Sequence, residues 1–147
     1  MTGPGMQRGR KRGQQERGRR KRGKHDRERA ERLGRWAEFL CRLALMLKGY
    51  RILATRLRTP AGEIDILAEQ RTHFGPVLAV VEVKARAGEY AAHAAVGSGS
   101  WHRLARAAGM VQAARPRLSG HTARFDLMIV TPRRWPRHLP DYWRPQG

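Results

Sequence analysis

A chain of 147 residues, 40% of them hydrophobic, has room for one domain with one core. Its 31 Lys/Arg against 12 Asp/Glu give a net charge of +19, which favours a polyanionic partner, because basic side chains neutralise phosphates and release condensed counterions. A single cysteine, Cys41, excludes an intrachain disulfide framework and a multi-cysteine zinc cluster and fits a reducing, cytoplasmic setting, while apolar runs of at most five residues exclude a membrane-spanning helix, so no membrane partner is expected.

Residues 1–28 are rich in Gly, Arg, Lys and Gln and almost free of apolar side chains. Such a segment cannot bury enough surface to offset its ordering entropy, so it reads as a disordered basic arm. The near-continuous basic stretch between Arg17 and Lys24 suits nonspecific attraction to phosphates. The folded domain is expected over residues 29–132 and is basic in its own right, since residues 36–147 hold 17 Lys/Arg against 8 Asp/Glu.

Within the domain, Leu33, Ala37, Leu40, Ala44 and Leu47 recur at three- and four-residue steps and predict a helix over residues 30–48. Only Glu38 and Arg42 interrupt the apolar character between Trp36 and Leu47, which predicts burial on more than one side, with Phe39 and Met46 as core residues. Gly49 stands where a left-handed cap is expected. Strands follow over residues 50–57, 63–68 and 77–84, separated by Pro60-Ala61-Gly62 and Phe74-Gly75-Pro76. Residues 85–100 read as a loop, 101–115 as a second helix stopped by Pro116, and 124–131 as a fourth strand. Residues 133–147 read as an irregular tail rich in Trp, Pro and Arg, its aromatic rings packing across an open core edge. The order α-β-β-β-α-β predicts an α/β domain, a mixed sheet flanked by helices. The six histidines show no ligand spacing and read as surface or loop residues, and Asp126 reads as a partner for Arg124.

The scarce acids carry the chemistry. Side chains alternate across a strand, so Glu63 and Asp65 share one side of the second strand, and Val80, Glu82 and Lys84 share one side of the third. Ile64, Ile66, Val81 and Val83 then take the opposite, buried side. With the two strands paired as a hairpin, Asp65 and, sixteen residues further on, Glu82-Val83-Lys84 converge. Acids in apolar strands are costly unless paired or metal-bound. A group of carboxylates with no His or Cys partners suits a hard cation, Mg²⁺ or Mn²⁺. A neighbouring lysine stabilises charge developing on a phosphodiester and orients or deprotonates the attacking water. The same spacing also accommodates a cross-strand ion pair between Lys84 and Asp65 or Glu63, and Glu38 has an i,i+4 partner in Arg42.

Gly62-Glu63-Ile64-Asp65-Ile66-Leu67 and Val80-Val81-Glu82-Val83-Lys84-Ala85-Arg86 resemble the motifs of the YraN-like family, small bacterial proteins related to archaeal Holliday-junction resolvases within the PD-(D/E)xK nuclease superfamily. Gly34 with Ala37-Glu38, Gly49-Tyr50-Arg51-Ile52-Leu53 and Arg124-Phe125-Asp126 extend the resemblance over residues 34–131. The resemblance implies a restriction-endonuclease-like core and a Mg²⁺-dependent (or Mn²⁺-dependent) endonuclease acting on DNA ahead of RNA, branched or structured, and leaving a 5′-phosphate. It implies Asp65 and Glu82 as metal ligands, Lys84 as the catalytic lysine and Glu38 as a helix acid brought to the metal. Glu63 follows as a secondary site residue that ligates or holds Arg86 or Lys84. Arg86, with Arg103 and Arg106 of the second helix, is expected to contact nucleic acid, and the symmetric resolvases imply a homodimer. One departure is Ser100, at a position where the family commonly has Lys or Gln. The alternative is a non-catalytic nucleic-acid-binding adaptor, for DNA or RNA, that retains the fold.

Overall fold

The computed structural model describes residues 8–87 and 97–146. By internal contacts the chain divides into Met1–Arg35 and Trp36–Gly147. Helix α1 (Arg8–Leu47) begins well before residue 30 and takes in most of the arm expected to be disordered. Arg, Lys, Gln and Glu, which make up much of this stretch, favour a helix, and no proline follows Pro4 in it.

From Trp36 onward, α1 leads into β1 (Arg51–Thr59), β2 (Gly62–Thr72) and β3 (Gly75–Ala85). Helix α2 (Ser98–Ala114), a 3-10 turn at Pro116–Leu118, β4 (Thr122–Val130) and β5 (Arg137–Trp143) follow. The strands form one sheet in the order β1-β2-β3-β4-β5. All neighbours are antiparallel except β3 and β4, which run parallel and are joined through α2. This is the expected α/β, restriction-endonuclease-like core, a mixed sheet with a helix on either face.

Gly49 ends α1 at φ 86, in the left-handed region, and lets Tyr50 N–H close back onto the Leu45 carbonyl at 3.1 Å. The two hairpins use one device twice: Thr59 Oγ1 donates to the Gly62 carbonyl and Thr72 Oγ1 to the Gly75 carbonyl, both at 2.8 Å. Each hydroxyl also accepts a turn N–H at 3.2 Å.

Both faces of the sheet are buried. Trp101, Leu104, Ala107, Ala108 and Val111 of α2 cover Ile64, Leu67, Leu78, Val80, Leu127 and Ile129. On the other face Cys41, Ala44 and Leu45 of α1 cover Ile66, Ala68, Ala79, Val81 and Met128, with Val83 alongside. Ile64 and Ile66, expected on one side, therefore lie on opposite sides, so β2 loses its regular alternation between them. Between Trp36 and Leu47, α1 is buried along the stripe of Ala37, Cys41, Ala44 and Leu45. Trp36, Phe39, Met46 and Leu47 are 44–73% exposed, which overturns the expectation of Phe39 and Met46 as core residues: the sheet meets this part of the helix along one face.

The C-terminal segment is not irregular. β5 pairs with β4 despite Pro140, which an edge strand tolerates because its outward N–H needs no partner. Trp143 packs as expected, stacked on Trp101 at 6.1 Å between centroids and edge-on to Phe125 at 5.4 Å. Fully buried Asp126 ties the edge together. It accepts two bonds from Arg124, both at 2.8 Å, one from His138 Nε2 at 2.9 Å and one from Asp141 N–H at 2.9 Å. Arg124 also donates to the Tyr50 hydroxyl at 2.6 Å. His138 and His121 are thus interior residues rather than surface ones; His121 Nε2 lies 2.6 Å from Glu69 Oε1.

Candidate functional site

The site forms where β2 and β3 part. Their ladder runs from Thr72 opposite Gly75 up to Ile66 opposite Val81 and ends there. Beyond that rung, residues 82–85 of β3 are paired only with β4, Glu82 opposite Leu127 and Lys84 opposite Ile129. At the fork the Val83 N–H, released from the β2 backbone, donates instead to Asp65 Oδ2 at 2.8 Å. Asp65 is thereby fixed against β3 by its own side chain.

Glu82 follows Val80 at a two-residue step toward the α2 face and opens with Asp65 into a cleft of about 310 Å³. Gly62, Glu63, Ser100, Arg103 and Leu104 line the rest. Glu82 is buried, and Lys84 Nζ lies 2.6 Å from its Oε1. Lys84 thus pairs with Glu82, two residues away on its own strand, rather than across to Asp65 or Glu63. Asp65 is the strained member. Burial first, then the charge of Glu82, raise its carboxyl to about 7, against the lowering effect of the Val83 N–H; Glu38 adds to the rise and Lys84 opposes it.

Glu38 lies on α1, half-buried and near enough to add its charge to that of Asp65 on Cys41, whose buried thiol is pushed up to about 12. Its partner is not Arg42, whose guanidinium lies 5.8 Å from the centroid of the Phe39 ring. Arg56 grips the Glu38 carboxylate with both arms, Nε to Oε2 at 2.7 Å and Nη2 to Oε1 at 3.0 Å. Sequence reading missed Arg56. It stands at φ 48, between the pairs Thr55–Ile66 and Leu57–Ile64 and so opposite Asp65. A strand residue in the left-handed region leaves no mark on a hydrophobic pattern.

The other expected residues divide. Glu63 borders the cleft, but its ion-pair partner is Arg58 at 3.4 Å, not Arg86 or Lys84. Arg103 lines the cleft beside Ser100. Arg106 is exposed on α2 outside the cleft lining, and Arg86 is exposed past the end of β3, bonded to the Ala85 carbonyl at 2.7 Å. Among the described residues no three His, Cys, Asp or Glu side chains form a ready metal-binding group. The cleft brings together two carboxylates, Asp65 and Glu82, with Arg103 in its lining and Lys84 paired to Glu82.

A forked mixed sheet with two acids and a lysine at the fork defines an α/β domain with a restriction-endonuclease-like core. The chain belongs to the uncharacterised protein family UPF0102, the YraN-like group, whose model matches residues 37–130. Among its relatives is a UPF0102 protein of Parvibaculum lavamentivorans, 50% identical over 116 residues, covering 79% of this chain and 84% of that protein. One from Maricaulis maris is 44% identical over 119 residues, 81% of this chain and 91% of the other. One from Caulobacter vibrioides is 50% identical over 114 residues, 78% and 88% respectively. The matched segment holds Glu38, Arg56, Asp65, Glu82, Lys84 and Arg103. No helix among the described residues is long and apolar enough to cross a membrane.

Proposed function

We propose that the cleft is the centre of a Mg²⁺-dependent endonuclease that hydrolyses phosphodiesters in DNA, branched or structured forms included. The observation that carries this reading is the crowding of Asp65 against Glu82: two carboxylates line one cleft, and burial with the charge of Glu82 raises the Asp65 carboxyl. Oxygen donors with no His or Cys among them suit Mg²⁺ or Mn²⁺, and Asp65 and Glu82 would hold it. When bound, such an ion polarises the scissile phosphate and makes its water more acidic.

The chain's own residues do the remainder. Lys84 Nζ, anchored on Glu82, sets a positive charge where the phosphodiester gains negative charge and orients the attacking water. Arg103 and Ser100, in the cleft lining, hold the backbone of the substrate. Arg86 and Arg106 extend this contact along the strand, and Glu63 orders the cleft rim through Arg58. Cutting two strands of one substrate calls for two such sites, hence a homodimer, and the single buried Cys41 suits a cytoplasmic setting.

The test is Mg²⁺-dependent cleavage of duplex, branched and single-stranded DNA, with an RNA control, by wild type, Asp65→Ala and Lys84→Ala. Wild type should cut and leave 5′-phosphates, and each variant should lose at least about a hundredfold in rate while still binding. Wild type that binds these substrates and cuts none of them, with Mg²⁺ or Mn²⁺, would make the protein a nucleic-acid-binding adaptor.

A further inference from the structure

The third acid of the site is already engaged. Arg56 occupies both oxygens of Glu38 in a two-armed ion pair, its side chain 46% exposed and that of Glu38 17% exposed. The guanidinium feels Glu63 and Asp65 as well, so it is a fixed positive charge on the acids at the fork. Its backbone is held at φ 48, a conformation that an arginine adopts rarely and that glycine or asparagine adopts more readily. A strained strand residue with a half-exposed head is placed for exchange. A guanidinium fork binds a phosphate with the same two-armed geometry as a carboxylate.

We propose that Arg56 is a positioning residue that competes with the divalent cation for Glu38 and passes to a backbone phosphate of the substrate when Glu38 turns toward the cation. The proposal rests on the reading of the cleft as a metal site. In this arrangement Glu38 is withheld while no nucleic acid is present, and substrate phosphate releases it. Metal occupancy and substrate binding then favour one another, as two ligands do when each removes the same competing contact.

The experiment measures Mn²⁺ affinity by titration calorimetry for the full chain as wild type, Arg56→Asn, Glu38→Gln and the double variant, without nucleic acid. Asparagine tolerates the left-handed backbone, and circular dichroism with thermal melting checks the fold. Arg56→Asn should bind Mn²⁺ up to about fivefold tighter, the scale of a half-exposed ion pair. Glu38→Gln alone should change the affinity little, and in the Arg56→Asn background it should abolish the gain. Arg56→Lys, which keeps the charge but loses the fork, should fall between. A nuclease-resistant phosphorothioate duplex should tighten Mn²⁺ binding more in wild type than in Arg56→Asn. A gain that is absent, or that survives Glu38→Gln, overturns the proposal and leaves the metal site standing. Wild type that takes up no Mn²⁺ overturns the metal site itself.

Discussion

At Asp65 a single carboxyl gathers the competing forces of the site. Burial and the neighbouring Glu82 outweigh the Val83 N–H and lift the group from an ordinary 3.8 to about 7. The folded chain therefore holds a proton that the unfolded chain releases above about pH 4, so stability falls as pH climbs from there to about 7 and then levels off. Asp65→Asn keeps an acceptor for Val83 N–H and removes the charge. In metal-free buffer the melting temperature of wild type relative to this variant should drop across that window, leaving the variant more stable at pH 8. Mg²⁺ should then raise wild type alone. A difference between the two that does not vary with pH would contradict this account. Much of this geometry was legible in the sequence: β3 is regular, so the two-residue step puts Glu82 and Lys84 within 2.6 Å. Arg56 was not legible, because one left-handed residue redirects a side chain without altering the residue pattern around it.

At the scale of elements, β5 shows what a pattern of apolar residues conceals. Arg137-His138-Leu139-Pro140 reads as tail, yet the strand is held to β4 by a buried carboxylate as well as by its ladder. Asp126 was legible only as a partner of Arg124; its bonds to His138 and Asp141 N–H come from a strand the sequence did not announce. Asp126→Ala would leave Arg124 without its counter-charge and Asp141 N–H without an acceptor. The expected loss is about 3–5 kcal/mol in urea denaturation, the usual cost of breaking a buried pair. Burial alone would raise the Asp126 carboxyl, but Arg124, His138 and Asp141 N–H hold it below the ordinary value. Its contribution is thus present above about pH 4 and is lost as pH falls through the lower folded value. Helix α1 shows the reverse error. Between Trp36 and Leu47 its apolar residues surround it, yet the sheet covers one stripe, so the counting of hydrophobic side chains overstated its burial.

For the whole molecule, charge is divided between arm and domain. Residues 1–35 carry 14 Lys/Arg against 4 Asp/Glu, and the remainder 17 against 8. Duplex binding that uses six to ten phosphate contacts should weaken by about a thousandfold or more between roughly 50 and 200 mM salt. Removing residues 1–28 should flatten the slope of log affinity against log salt without abolishing binding, as fluorescence anisotropy would register; complete loss would assign the interaction to the arm. The overall architecture was legible because alternating short strands and longer periodic helices leave few ways to cover a sheet. The fork between β2 and β3 was not, since it depends on where a ladder stops rather than on which residues compose it.

Cys41 faces the sheet from the buried stripe of α1, fully covered, its thiol pushed up to about 12 by burial, Asp65 and Glu38. While the helix is seated, the sulfur neither ionises nor meets a reagent, so alkylation has to wait for a local opening. The chain thus carries an intrinsic clock, one native thiol whose labelling time reports how often the wall bearing Glu38 lifts from the strands beneath it.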